Sequence, residues 1–141
     1  MNVLVVYESR GGRTKKVAQS ISKDASDKGH AATVKPIAET SSDEITAADC
    51  IIVGTWVEGF ILFGVHPARA ASSWISALPS LTGKSVSVFC TYAVNPRNSL
   101  DELKHGLESR GAKIGASQAF HRSRTEEGIG TFVDAALSVA M

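Results

Sequence analysis

Asn2 to Lys16 reads NVLVVYESRGGRTKK, and this stretch decides the fold. Val3, Leu4, Val5 and Val6 form an unbroken apolar run, the pattern of a strand buried on both faces of a sheet. A polar turn follows, Ser9-Arg10-Gly11-Gly12-Arg13-Thr14. Val17, Ala18, Ile21 and Ala25 then fall on one side of a helix. A strand, a turn of small residues and a helix start make a cradle for an anion. Hydroxyls and backbone N–H groups converge there, and the positive end of the helix dipole faces the ligand. The turn has neither the Gly-x-x-x-x-Gly-Lys-Ser/Thr of a nucleotide-binding P-loop nor the Gly-x-Gly-x-x-Gly of a dinucleotide fold. A plain strand-to-helix turn would use the same glycines and serine, so the loop alone leaves both readings open.

Composition narrows the classes. A chain of 141 residues, 43% hydrophobic, suits one globular domain, 1–141, with a sizeable core. Lys+Arg 15 against Asp+Glu 14 leaves a net charge of +1, which argues against nucleic acid as a partner. No apolar run reaches the ~20 residues a membrane span requires. The first strand begins at once, with no signal peptide in view, and the expectation is a cytoplasmic protein. Cys50 and Cys90 lie in apolar runs without metal-ligand spacing, and the four His are scattered, so no metal site is expected.

Five strands alternate with helices along the chain. They are expected at Val3–Val6, Ala31–Ile37, Asp49–Gly54, Ser85–Cys90 and Ala112–Phe120. Helices are expected from Thr14 to Lys28, from Pro67 to Leu78, from Ser99 to Arg110 and from Ile129 to Ala140, with Glu39–Thr46 a polar loop or single turn. Ser99-Leu100-Asp101-Glu102 fits a capping box. The alternation gives an α/β fold, a doubly wound five-stranded parallel sheet with helices on both faces. Pro36 makes the second strand an edge, which suits the order 2-1-3-4-5. In such a sheet the ligand sits beyond the carboxyl ends of the strands, where the strand order reverses. That rule selects Ser9–Thr14, Thr55–Val65 and Thr91–Asn98.

These three segments suit a flat, largely apolar ring bearing a phosphate. Thr55-Trp56 opens the second and Thr91-Tyr92 the third, and aromatic side chains stack on such rings. Trp56 and Tyr92 could instead cap the core beneath the loops. Phe60 to Val65 is greasy enough to be either core or an exposed docking patch.

Hydroxyl-x-Gly-Gly-x-Thr at Ser9–Thr14 resembles the FMN phosphate loop of the flavodoxin family, commonly Thr/Ser-x-Thr/Ser-Gly-x-Thr. Ser9, Gly12 and Thr14 match; Gly11 stands for a hydroxyl residue and Arg13 for the frequent Asn. The element order agrees over nearly the whole chain, and its length is similar to that of short-chain flavodoxins. The resemblance implies a flavodoxin-like fold with FMN as cofactor. It puts Ser9, Gly12 and Thr14 on the phosphate, with Arg10 and Arg13 either replacing the bond lost at Gly11 or pointing into solvent. It puts Trp56, Gly59 and Tyr92 around the ring, with Thr55, Val57 and Glu58 also in the cofactor site and the backbone of Thr91 to Ala93 at the ring's pyrimidine edge. The function implied is electron transfer between redox partner proteins, a flavin reductase-type donor and an acceptor. An FMN-dependent NAD(P)H or quinone reductase, or an interaction module without flavin, are the other classes. Flavodoxins are commonly acidic, whereas this chain is nearly neutral, so long-range acidic steering is not expected.

Overall fold

The computed structural model describes residues 1–8, 12–58, 66–67, 78, 80–92, 99–121, 123–125 and 127–140. Its elements in order are β1 (Asn2–Tyr7), α1 (Arg13–Asp27), β2 (Ala31–Pro36), a 3-10 turn (Ile37–Glu39), α2 (Ser42–Ala47), β3 (Cys50–Glu58), β4 (His66–Pro67), β5 (Ser85–Tyr92), α3 (Ser99–Glu108), β6 (Lys113–His121) and α4 (Ile129–Ala140). Five strands pair in parallel in the order β2-β1-β3-β5-β6. The expected 2-1-3-4-5 sheet is therefore present, with β2 on one edge. The two residues of β4 add a short antiparallel ribbon to the end of β3.

Side-chain alternation explains the two-sided burial. Val3, Val5 and Tyr7 of β1 join Ile52, Phe89 and Phe120 on one face. The stripe Val17, Ala18, Ile21 and Ala25 of α1 and the stripe Phe132, Val133, Ala136 and Leu137 of α4 cover that face. Leu4 and Val6 point the other way, into a second core with Ile51, Val53, Val86 and Val88, closed by Ile45 of α2 and Leu103 and Leu107 of α3. A strand buried on both faces needs apolar residues at every position, which is why β1 shows no polar alternation.

At the centre of the first core Phe89 lies across Gly54, its partner on β3. A Cβ on Gly54 would come within 2.0 Å of the Phe89 ring. Phe89 meets Phe120 and Phe132 edge-on at 6.1 Å each, and those two meet at 5.9 Å. Gly54 is thus the floor that lets three rings pack edge to face.

Both cysteines are buried and free. Burial, with a smaller push from Asp49, raises the Cys50 thiol to about 11, and burial alone raises Cys90 to about 12, from 9.0. Iodoacetamide at pH 8 should therefore leave the native protein unlabelled and modify both thiols once it is unfolded. An unfolded chain loses these protons near pH 9 while the native one keeps them, so stability should fall as pH rises from about 9 towards 11. A Cys50→Ala/Cys90→Ala variant should show a smaller fall in urea midpoint over that window.

Several boundaries differ from the sequence expectation. β3 runs on through Thr55, Trp56, Val57 and Glu58, and β5 through Thr91 and Tyr92, all expected in loops. Each extension is held by a neighbour, Trp56 by Thr91 and Tyr92 by His121. Pro67 pairs with Val57 in β4, where a residue without an N–H is tolerated at a sheet margin. The rest of the helix expected to Leu78 lies outside the described residues, although Leu78 itself is buried in the second core. In place of a loop or single turn over Glu39–Thr46, the chain forms α2 at Ser42–Ala47, with a full capping box between Ser41 and Glu44. Ser99 lies within α3, and the residues just before it are outside the described ones.

Candidate cofactor-binding site

The carboxyl ends of β1, β3 and β5 lie side by side. Tyr7 pairs with Gly54, and the Glu8 N–H continues the ladder to the Gly54 carbonyl at 2.9 Å. The chain then turns into α1 through Gly12, whose φ of 88° is a left-handed conformation that glycine adopts freely. Among the described residues nothing lies within 4 Å of a Cβ built on Gly12. Among the described residues no side chain caps α1; its first turn carries no acid, whereas Arg13, Lys15 and Lys16 are exposed on it. A helix head with no acid in its first turn and exposed cations on it is suited to an anion.

Inside that head sits Thr14, 1% exposed, and its Oγ1 lies 2.7 Å from Oγ1 of Thr91, itself 4% exposed. Thr91 is two residues beyond Phe89 on β5 and so faces the α1 side of the sheet. This bond joins the start of the first helix to the end of β5 across 77 residues of sequence.

The register sets the aromatic residues. Trp56 pairs with Thr91 and shares its face, while Tyr92, the next residue, points to the opposite face. Both are half-buried. Thr55 is fully buried, and its hydroxyl donates to the Trp56 carbonyl at 3.3 Å. Tyr92 meets the ring of His121 at 5.1 Å and 89°. The Ser123 N–H donates to His121 Nδ1 at 3.2 Å, and the Ser123 hydroxyl lies 2.7 Å from the same nitrogen.

Of the residues expected at the site, Gly12, Arg13, Thr14, Thr55, Trp56, Thr91 and Tyr92 come together at this end of the sheet. Val57 and Glu58 lie in the last part of β3. Ser9, Arg10, Gly11, Gly59 and Ala93 lie outside the described residues, as does Phe60–Val65. Sequence reasoning missed His121 and Ser123 as supports of Tyr92, since only the β5–β6 register brings them there. It also missed the side chain of Thr91, whose role was expected to be a backbone contact.

The donor set fits a phosphate monoester: a hydroxyl at Thr14, the N–H groups of a helix start, a left-handed glycine at its head, and guanidinium and ammonium groups nearby. Among the described residues no cluster of His, Cys, Asp or Glu could hold a metal ion, and no helix is long and apolar enough to cross a membrane.

Comparison with known proteins agrees with this geometry. No curated protein sequence matches the chain. Among solved structures, oxidised Flavodoxin 2 from Bacillus cereus is similar with a TM-score of 0.81 at 20% identity, over 99% of each chain. Two-electron reduced Megasphaera elsdenii flavodoxin gives 0.79 at 21% identity, covering 94% of this chain and 99% of its own. Rubredoxin oxygen:oxidoreductase from Desulfovibrio gigas gives 0.79 at 16% identity, covering 99% of this chain but 36% of its own. The family model for the flavodoxin domain matches residues 4–110. The chain therefore belongs to the flavodoxin domain family, and that membership implies FMN as its cofactor.

Proposed function

We propose that residues 1–141 form a single flavodoxin-like domain that binds FMN and carries electrons between protein partners, a flavin reductase-type donor and an electron-accepting protein. The observation that carries this reading is the buried Thr14–Thr91 hydroxyl pair at the start of α1, set at the switch point of the sheet.

FMN supplies reversible electron uptake at its ring. The chain's own groups hold and shield it. Thr14, the N–H groups of the first turn of α1, and the loop residues Ser9, Arg10, Gly11, Gly12 and Arg13 take the phosphate. The dipole of α1 and the cations Arg13, Lys15 and Lys16 offset the phosphate's charge. Trp56 and Tyr92, on opposite faces of the strand ends, exclude water from the two sides of the ring. The backbone from Thr91 to Ala93 would contact the flavin's pyrimidine edge, and Thr55, Val57, Glu58 and Gly59 would complete the wall on the β3 side.

Partner choice follows from charge placement. Exposed Arg13, Lys15 and Lys16 lie on the α1 side of the sheet, and exposed Asp101 and Glu102 lie on the α3 side. A partner with both signs on its docking face is favoured over a uniformly basic one. The two reduced, buried thiols suit work in the cytoplasm.

The test is a visible spectrum of the purified protein with identification of the flavin after acid release, followed by turnover with NAD(P)H and a quinone. A yellow protein that releases FMN and turns over only when a separate reductase is added supports the carrier. Turnover by the protein alone makes it a reductase, and a colourless protein that takes up no FMN makes it an interaction module.

A further inference from the structure

We propose that Thr91 is the specificity-determining residue for the phosphate of FMN, acting as a positioning residue that donates its hydroxyl hydrogen to Thr14. This rests on the reading of Thr14 as a phosphate contact. A hydroxyl has one hydrogen and two lone pairs, so a pair of hydroxyls at 2.7 Å contains one donor and one acceptor. Taken alone, the Thr14–Thr91 pair can run in either direction. A phosphate monoester, largely dianionic at neutral pH, accepts hydrogen bonds. Thr14 must then give its hydrogen to the phosphate, which leaves its oxygen to accept from Thr91. Occupancy of the seat fixes the direction as Thr91 to Thr14 to phosphate.

Three features make this relay more than a packing contact. Both hydroxyls are almost fully buried, so water does not replace a lost partner. Hydrogen bonds in series polarise one another, so a donor behind Thr14 strengthens its bond to an anion. Thr91 is also held rigidly, paired on one side with Trp56 and on the other with Phe120, and its β-branched side chain has few rotamers to lose. A ligand without the phosphate places no demand on the relay. Thr91 thus discriminates FMN from riboflavin although it is expected to touch neither phosphate nor ribityl chain.

The experiment measures dissociation constants for FMN and riboflavin by quenching of flavin fluorescence, in wild type, Thr91→Val, Thr91→Ser and Thr14→Val. Thr91→Val keeps the shape and removes the donor; it should weaken FMN roughly tenfold and change riboflavin less than about twofold. Thr91→Ser restores the donor and should recover most of the FMN affinity. In the double variant Thr14→Val/Thr91→Val the FMN-to-riboflavin ratio should be no lower than in Thr14→Val alone. Near-ultraviolet circular dichroism of each apoprotein checks the fold, and Thr91→Ala replaces Thr91→Val if the latter does not fold. Equal weakening of FMN and riboflavin by Thr91→Val, or no change in either, overturns the relay while a lowered ratio in Thr14→Val keeps the phosphate seat. An unchanged ratio in Thr14→Val removes the seat itself, and the relay with it.

Discussion

Phe89→Ala is expected to cost about 3–5 kcal/mol of stability, the range for removing a fully buried aromatic side chain. The ring fills the space over Gly54 and forms two of the three edge-on contacts of the aromatic cluster. Without it Phe120 and Phe132 face a cavity, and rigid β3 and β5 cannot close the gap. Gly54→Ala attacks the same place from below, since its methyl would have to displace the ring; a loss of about 1–3 kcal/mol or more is expected from overpacking. In the double variant the methyl enters the space the ring vacated, so the combined loss should be clearly less than the sum. Urea denaturation of the four proteins measures this, and strictly additive losses would show that Phe89 does not rest on Gly54 in solution.

Thr14→Val should weaken FMN by about 1–3 kcal/mol, the cost of losing a hydrogen bond to a charged group. Riboflavin should be held as before. The variant keeps the shape of a residue 1% exposed, so α1 should stay in place. What changes is chemical: Thr91 is left with an apolar neighbour where its hydroxyl partner stood. Titration of flavin fluorescence with both ligands checks the result, and a parallel loss of riboflavin would mean that the substitution acts through the fold.

Much of the architecture was legible because burial on both faces writes itself into composition. β1 could be read from Val3–Val6, and α1 and α4 from their stripes, since in each the residues that touch the core are the apolar ones. The edge position of β2 followed from Pro36. The ends of β3 and β5 were hidden because Thr-Trp and Thr-Tyr suit a loop as well as a strand, and only pairing with Thr91 and His121 makes them strands. The capping box of α2 stood in plain sight at Ser41 and Glu44, but a helix this short leaves little apolar periodicity to go with it. Of the candidate site, residue types and positions could be read, whereas contacts could not. Thr14 and Thr91 are 77 residues apart, and no local spacing announces that their oxygens meet.

The outer strand β6 carries an irregularity with its own consequence. Val86 pairs with Ile114 but Val88 with Ser117, so Gly115 and Ala116 together face the single residue Ser87. The Ser87 hydroxyl fills the break by accepting the Ala116 N–H at 3.0 Å, and a Cβ on Gly115 would crowd that same oxygen at 2.8 Å. A bulge of this kind bends and twists the strand that contains it. An exposed flat edge invites another chain to add a strand and, at high concentration, to propagate into aggregates. Among the described residues no strand pairs with the outer side of β6, and a straight strand laid there would meet the bulge out of register, which disfavours edge-to-edge self-association.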